Sequence, residues 1–419
     1  MKLLHIGKPY IKKEGHFSKL CSNIKYGSKS KILFYMVDSE FEDCLCIQRS
    51  DAFLLSILNF AMSNGYDIEW EIPVTERLFY QLTYIYLPVI KQLYSKKMRV
   101  GKLIGPVTND AIIKKNRGVA TGISGGVDSF YSILKHLNIS EKSFQLTNVV
   151  FLPLYNNIKN YEELEDKYAR DLENIKKISK NMKLPLISIF TNEPMFFYNG
   201  IPDWEMIRIG GMVLSIQNLI SVYYVSSAYK YINTHFINAS SAACYDVFNA
   251  SVFSTENIQF IGSGGEVGRR EKVKFIENNN IVQKTLHVCN FDGINNCSFC
   301  EKCMRTMMQL YADDVLDLYG KVFDLDKFNK NKNKYIARMI YRNGEFDKEI
   351  LEDLKQSGKN IGLLTKIRAF ILRIAYLIWQ SVQKNKFLMK IFYKYNLDYK
   401  LYHKELADSI RYTRGVKLK

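Results

Sequence analysis

The sequence lacks several features that would place the chain in well-known classes. The apolar run near the N-terminus ends at Ile6 and is followed by Lys8, so it is too short for a signal peptide and we expect no export. No internal repeat is visible, which argues against a solenoid or a propeller. The six histidines show no pairing typical of a metal site or a catalytic base.

Nothing in the cysteine distribution requires a disulfide. Of the eight cysteines, four fall within residues 289–303 at spacings typical of metal ligands, which favours a reducing compartment. We therefore expect a cytosolic protein, with peripheral attachment at the inner face of the membrane as an alternative.

The composition favours several folded units and a basic C-terminal region. A chain of 419 residues with 47% hydrophobic and 13% aromatic residues can build two or three cores. Of the formal net charge of +17, much is C-terminal, because residues 321–419 hold 23 Lys and Arg against 10 Asp and Glu. Such an excess suits nucleic acid, anionic lipid or a phosphorylated substrate, and charge alone does not choose among them.

Hydrophobic periodicity predicts three regions. Residues 1–116 are expected to form a small α+β domain, with a strand at residues 31–36 and helices at residues 51–63 and 77–94. Residues 117–320 form the predicted catalytic domain, and residues 321–419 a basic helical region. The polar stretch at residues 327–334 is interpreted as a linker.

The middle region alternates short apolar runs with amphipathic segments. The predicted strands are residues 119–123, 147–152, 186–190, 221–226 and 258–261. The predicted helices are residues 129–137, 161–182 and 203–219. This alternation predicts an α/β fold with a doubly wound parallel sheet, in which ligands bind beyond the carboxyl ends of the strands.

A glycine-rich loop joins the first of these strands to its helix. Its residues are Ser124, Gly125, Gly126, Val127, Asp128 and Ser129. Backbone N–H groups and a helix N-terminus converge there, which favours a bound anion. The glycines let phosphate oxygens approach, the serines offer hydroxyls, and Asp128 can orient Mg²⁺. A Walker lysine is missing, which disfavours γ-phosphate transfer.

This loop resembles the fingerprint Ser-Gly-Gly-x-Asp-Ser of the PP-loop, or N-type, ATP pyrophosphatases. The resemblance implies an adenine nucleotide alpha hydrolase-like fold with ATP and Mg²⁺ bound at the loop. Asp128 and Ser129 are the candidate catalytic residues of the loop. It also implies that a substrate oxygen attacks the α-phosphate, that pyrophosphate leaves, and that a nucleophile then displaces AMP.

The cysteine cluster has the spacing C-x7-C-x2-C-x2-C and contains Cys289, Cys297, Cys300 and Cys303. Four thiolates at short spacing predict a structural Zn²⁺ site. An iron–sulfur centre is the alternative, although no further Cys and no Cys-Pro follow at the ferredoxin positions. Loop and cluster together resemble the cyano-deazaguanine synthase family over about half the chain, but the additional terminal regions mean that its substrate is not transferred.

Three further features are assigned provisional roles. Arg269 and Lys272 share a helical face after a glycine-rich segment and are expected to neutralise the leaving pyrophosphate, or else to start a solvated helix. Arg305 is a weaker candidate for the same role. Residues 238–257 are the predicted substrate loop, in which Cys244 is expected to pack rather than to act as a nucleophile.

A C-terminal helix is predicted at residues 361–384, with Lys366, Arg373, Gln380 and Lys384 along one stripe. Its uninterrupted apolar run is too short to span a bilayer. We expect its apolar face to pack on the catalytic domain, with binding to anionic lipid as the alternative.

The favoured function is an ATP-dependent synthetase or ligase that adenylates a substrate carboxylate or carbonyl oxygen and then forms a C–N bond. Position 2 is Lys2, so a glutaminase with an N-terminal cysteine nucleophile is disfavoured, and ammonia would come from solution or a partner protein. The alternatives are a tRNA-thiolating PP-loop enzyme and a non-catalytic protein that binds lipid or nucleic acid.

Overall fold

The computed structural model describes residues 2–99, 101–114, 117–155, 158, 160–195, 204–237, 239, 241–289 and 295–384. The chain divides into two compact units, Met1–Lys272 and Val273–Lys419. The predicted boundaries at residues 116 and 320 fall inside these units and stay predictions.

The described residues form strands and helices along both units. The strands are β1 Lys2–Ile6, β2 Tyr10–Glu14, β3 Phe17–Tyr26, β4 Lys29–Asp38, β5 Tyr66–Trp70, β6 Val74–Thr75, β7 Leu103–Ile104, β8 Val107–Thr108, β9 Gly118–Gly122, β10 Asn148–Phe151, β11 Leu186–Ser188, β12 Phe190–Thr191, β13 Ile220–Ser226 and β14 Gln259–Ser263. The helices are α1 Asp51–Asn64, α2 Glu76–Gln81, α3 Leu87–Leu93, α4 Val127–Leu137, α5 Tyr161–Met182, α6 Trp204–Ser215, α7 Asp246–Phe253, α8 Arg269–Ile276, α9 Asn280–Thr285, α10 Glu301–Ala312, α11 Leu325–Arg342, α12 Glu345–Gln356 and α13 Leu363–Lys384.

A mixed sheet occupies the N-terminal part of the first unit. Within the described residues its strand order is β12, β4, β3, β1, β5 and β7, and β2 pairs with β3. Strands β3 and β4 pair antiparallel from Phe17 opposite Asp38 to Tyr26 opposite Lys29. The two-residue turn between them contains Gly27 at φ 57°, a conformation that glycine adopts without a Cβ penalty.

Helix α1 lies in the core of this unit. Its side chains are apolar nearly all round and most are buried, as expected for a core helix. Helix α6 approaches it closely, because a Cβ on Gly211 would lie 2.1 Å from Ser56 Oγ and one on Gly210 would lie 2.5 Å from Leu55 Cδ2. The two glycines therefore permit a contact that no larger residue would allow.

The single helix predicted at residues 77–94 is present but interrupted. A π-helical turn, Leu82–Tyr86, separates α2 from α3, and the Leu87 N–H donates to the Leu82 carbonyl. Proline in the first turn of α3 explains the break, because Pro88 lacks an N–H and its ring crowds the preceding turn.

The second sheet of the first unit is parallel, as the sequence predicted. In the described residues its order is β11, β10, β9, β13 and β14, and every neighbouring pair is parallel. The chain proceeds from β9 to one side through β10 and β11, and then returns to the other side through β13 and β14. Strand β9 is therefore central, and the order reverses beside it.

The predicted strand at residues 186–190 is divided between the two sheets. Strand β11 pairs with β10, whereas β12 pairs antiparallel with β4, with Phe190 opposite Met36. Asn192 extends this pairing, since its Oδ1 accepts from the Phe34 N–H and its Nδ2 donates to the Ile32 carbonyl. The chain thus leaves the parallel sheet and completes the edge of the N-terminal sheet.

The described part of the second unit is helical. The linker predicted at residues 327–334 is wrong, because these residues lie within α11. Asp324 caps the start of α11, because its side chain accepts from the Lys327 N–H. The helix buries Phe328 and Tyr335 on one face. Its lysines and asparagines occupy the opposite face, so the polar composition marks an amphipathic helix.

Helix α13 confirms the predicted helix near residues 361–384, but the expected burial of its apolar face is wrong. Thr365 and Ala369 are buried, and α13 packs against α11. The larger apolar residues point to solvent, with Leu364 83% and Phe370 64% exposed. The side chains of Gln380 and Lys384 lie outside the described part. Among the described residues, no helix is both long and apolar enough to cross a membrane.

Candidate functional site

The glycine-rich loop lies where β9 ends and α4 begins, at the centre of the parallel sheet. Gly125 adopts φ 75°, which favours glycine, and Gly126 precedes the first residue of α4 without a side chain to cap it. The first N–H groups of a helix have no partner within the helix. The loop therefore presents the uncapped positive end of α4.

The two serines of the loop hold its shape. The Ser129 hydroxyl donates to the Gly122 carbonyl at 3.0 Å and accepts from the Ser124 N–H at 3.1 Å. The Ser124 hydroxyl accepts from the Gly126 N–H at 3.3 Å. Ser129 and Val127 are buried. Ser129, predicted to be catalytic, thus fastens the loop in this structure, whereas Ser124 lies at its open side.

Asp128 lies between the two cations predicted for this site. Lys272 Nζ is 2.8 Å from Asp128 Oδ1, and Arg269 Nη1 is 3.5 Å from Asp128 Oδ2. The lysine side chain is 1% exposed and the arginine side chain 9%, whereas Asp128 is 28% exposed. The structure therefore brings Asp128 together with two cations that lie more than a hundred positions later in the sequence.

The glycine-rich segment before α8 leaves room for Lys272. Gly264 has φ 88°, and a Cβ there would lie 3.1 Å from Lys272 Cε and from a Tyr131 ring carbon. The Lys272 ammonium also donates to the Ser227 carbonyl, just after β13. The buried cation is thus fixed from two directions, by the loop carboxylate and by the end of the neighbouring strand.

Glu266 fastens the same segment to α4, and the sequence analysis did not identify it. Its carboxylate accepts from the Tyr131 hydroxyl at 2.8 Å and from the Gly264 N–H at 3.0 Å, and it pairs with Lys135. Burial alone would raise the pKa of Glu266, but these donors, with its own backbone, lower it to about 2. The carboxylate is therefore ionised throughout the neutral range and orders the segment.

Asp246 is a second acidic residue near Lys272. Burial raises its pKa to about 6, although the nearby Ser227 hydroxyl and the Lys272 charge act in the opposite direction. It begins α7, inside the predicted substrate loop at residues 238–257, of which Asn238 and Ser240 lie outside the described residues. The position of Asp246 beyond the end of β13 is the signal that could have identified it.

Cys244 and Arg305 each have surroundings that favour packing. Cys244 is 3% exposed and belongs to a short 3-10 helix, Ala242–Tyr245, in agreement with the predicted packing role. Arg305 lies in α10 of the second unit, with its guanidinium 4.8 Å from the centre of the Phe346 ring. This contact supports a packing role for Arg305 within the second unit.

The four predicted metal ligands form a compact cluster in the second unit. The sulfurs of Cys289, Cys297, Cys300 and Cys303 all lie within 4.8 Å of one another. Cys289 and Cys300 are 4.0 Å apart between sulfurs, and Cys297 and Cys303 are 3.8 Å apart. Tetrahedral Zn²⁺ with bonds of about 2.3 Å requires sulfur separations of about 3.8 Å, so the donor set fits this metal.

The backbone around the cluster also suits bound thiolates. The N–H groups of Cys297, Cys300 and Cys303 each donate to the sulfur of another cysteine in the cluster. Ser298 adopts φ 62°, which turns the chain tightly after Cys297. Burial raises the pKa of Cys297 to about 11, and a hydrogen bond with Cys300 together with burial raises the pKa of Cys303. A divalent cation would instead favour the thiolate forms.

Comparisons of the chain with protein families, with curated proteins and with solved structures gave no significant match. The functional argument therefore depends on the two constellations described above. One is an uncapped helix start beside a carboxylate and two buried cations, and the other is a four-cysteine cluster with metal-like geometry.

Proposed function

We propose that this protein is an ATP-dependent synthetase of the PP-loop type, with a doubly wound catalytic sheet. It would cleave ATP between the α and β phosphates and join a nitrogen nucleophile to an adenylated substrate. The observation that carries the proposal is the meeting of Asp128, Lys272 and Arg269 at the glycine loop. That loop follows the central strand, where the strand order reverses, and ligands of parallel sheets bind at this place.

Different groups at the loop suit different parts of a bound triphosphate. Backbone N–H groups in the first turn of α4, which follows the loop, suit phosphate oxygens. The Asp128 carboxylate is an oxygen ligand of the kind Mg²⁺ prefers, and its partial exposure leaves it accessible. Lys272 and Arg269 can neutralise the charge that develops on departing pyrophosphate.

The proposed reaction has two substitutions. First, a carboxylate or carbonyl oxygen of the acceptor attacks the α-phosphorus, the bond to the bridging oxygen breaks, and pyrophosphate leaves. Second, ammonia or an amine attacks the activated carbon, loses a proton, and displaces AMP.

Zn²⁺ at the four cysteines would have a structural role. Four protein thiolates complete a tetrahedral shell, so no coordination position is left for water or substrate. The metal would hold the turn at Ser298 to the start of α10, where the Cys300 side chain accepts from the Cys303 N–H. Its contribution would be to folding rather than to phosphate chemistry.

The alternative functions lack comparable support. A sulfur-transferring enzyme needs an accessible thiol besides the metal ligands, and Cys244 is 3% exposed. A purely binding protein would not require two buried cations directed at one loop carboxylate. Placement in the cytoplasm follows from the proposed use of ATP and from reduced cysteines, and it belongs to the same proposal.

Product analysis tests this proposal. The protein is incubated with ATP, Mg²⁺, ammonium and fractionated metabolite extract, and adenine nucleotides are separated by chromatography. AMP and pyrophosphate in equal amounts are expected, whereas ADP and orthophosphate as the only products would contradict the mechanism.

A matched pair of variants locates the activity. Lys272→Met should abolish nucleotide cleavage. Lys114→Met removes a half-buried lysine, which bonds to the Ile220 and Asn257 carbonyls at the amino ends of β13 and β14, and should retain cleavage. Equal loss in both variants would indicate a general effect of removing a buried lysine.

A further inference from the structure

Helix α13 presents a continuous apolar face to solvent. Its members recur at helical spacing and are Leu363, Leu364, Ile367, Phe370, Ile371, Ile374 and Leu377. Each is between 42% and 83% exposed. Exposed apolar faces of this extent mark sites that bind another protein or a membrane.

The exposed apolar face of α13 is not the side by which this helix packs. Helix α13 packs against α11, and among its described side chains the buried ones are Thr365 and Ala369, on the side away from the exposed apolar residues. Small residues at the contact let the two helices approach, while the large residues remain outside. The fold thus anchors α13 by its narrow small-residue side and leaves the apolar face available.

The charges around this face are of one sign. Lys366 and Arg373 are exposed along one edge of the apolar face, and Arg368 lies along the other. Helix α13 contains no Asp or Glu, and residues 359–419 hold 14 Lys and Arg against 3 Asp and Glu. An apolar face with basic side chains on both edges is the pattern of helices that lie in a lipid interface, where long cationic side chains reach the headgroups.

We propose that α13 docks the protein on an anionic membrane surface, with the helix axis in the plane of the interface. The apolar residues would enter the boundary between headgroups and acyl chains, and the basic residues would contact anionic headgroups. A second copy of the chain is a less suitable occupant, because two copies would bring equal positive charges together. The inference is independent of the proposed ATP chemistry.

Co-sedimentation of the intact protein with lipid vesicles tests this docking. Binding is expected to vesicles of phosphatidylglycerol and phosphatidylcholine, and much weaker binding to phosphatidylcholine alone. Higher salt should weaken binding without abolishing it, because the apolar contribution is not screened. Equal binding to both vesicle types, or none to either, would overturn the proposal.

Two leucines of equal exposure provide a matched comparison. Leu377 in α13 and Leu318 outside it are both 53% exposed. Leu377→Ser should reduce vesicle partitioning about tenfold, whereas Leu318→Ser should change it by less than about twofold. Equal effects of the two changes would refute a role for α13.

Sedimentation velocity without lipid distinguishes the competing occupant. The size of the protein should be the same for wild type and Leu377→Ser. A wild-type dimer that dissociates on this change would assign the face to a second copy and would also overturn the proposal. Circular dichroism checks that both variants retain their helical content.

Discussion

Removing the Asp128 carboxylate should destabilise the first unit, because Asp128 is the charged partner of the buried Lys272. Two unit charges 2.8 Å apart attract by about 6 kcal/mol at an effective dielectric constant of about 20. Asp128 is 28% exposed, so solvent reduces the net effect. Truncation also leaves the lysine charge, 1% exposed, without its carboxylate, and breaking a buried pair in this way costs about 3–5 kcal/mol. We expect Asp128→Ala to cost about 2–4 kcal/mol.

The measurement is urea denaturation at neutral pH with zinc present. Hydrogen exchange in β9 and β13 shows whether the loss is local to the site. The control is Glu163→Ala, since Glu163 is 31% exposed and its partner Lys167 is 4.0 Å away along the same helix. That change should cost less than about 1 kcal/mol.

A double-mutant cycle isolates the pair. The double variant Asp128→Ala, Lys272→Met should lose about 2 kcal/mol less unfolding free energy than the two single variants lose in sum. The reason is that the double variant leaves neither charge of the pair unpaired. The reasoning would be refuted if Asp128→Ala lowered the free energy of unfolding by less than about 0.5 kcal/mol and the cycle showed no coupling.

Two further predictions concern the metal cluster and the buried acid. Elemental analysis should find one zinc per chain. Cys300→Ser should lower the metal content, the solubility and the melting temperature, since structural zinc contributes folding free energy. Iron with sulfide, or a fully stable metal-free protein, would contradict this assignment. Asp246 binds a proton in the folded state between pH 3.8, the pKa of an ordinary Asp, and about 6, so its contribution to stability decreases as pH rises through this window. In urea denaturation, Asp246→Asn should therefore have the same free energy of unfolding as wild type below pH 3.8. Above about pH 6 the variant should be more stable, by at most about 3 kcal/mol. A stability difference independent of pH would show that the buried acid does not titrate as described.

The parallel sheet was predictable because its signals are local. Each strand is a short apolar run and each helix has its own periodicity, so α5 was placed at residues 161–182 as observed. The division of residues 186–190 was not predictable in this way. It depends on the pairing of Phe190 with Met36, a contact between residues far apart in the chain.

The candidate site was predictable in part. The glycine loop, Arg269 and Lys272 were identified because glycine runs and basic residues are visible in sequence. Glu266 and Asp246 were not, because an acidic residue becomes informative only when its partners are known. Glu266 stands out through Tyr131 and Lys135, which lie on a helix more than a hundred positions earlier.

Polar composition and apolar periodicity were each misleading once. Residues 327–334 look like a linker because lysine and asparagine alternate, yet Phe328 and Tyr335 anchor them in α11. The apolar face of α13 looked like a packing surface, yet among the described side chains of this helix only Thr365 and Ala369 are buried. Periodicity identifies a face, but the neighbouring element decides which face is covered.

The strand β12 also sets the earliest time at which the N-terminal sheet can be completed during synthesis. The edge of β4 is completed by a segment made much later, since Phe34 and Asn192 are separated by 158 positions. At translation rates of about 5–20 residues per second, that interval is about 8–30 s. Until then β4 is an unpaired edge on a nascent chain, where another polypeptide could add as a strand. The N-terminal sheet is therefore the part of this protein for which a ribosome-associated chaperone would matter most.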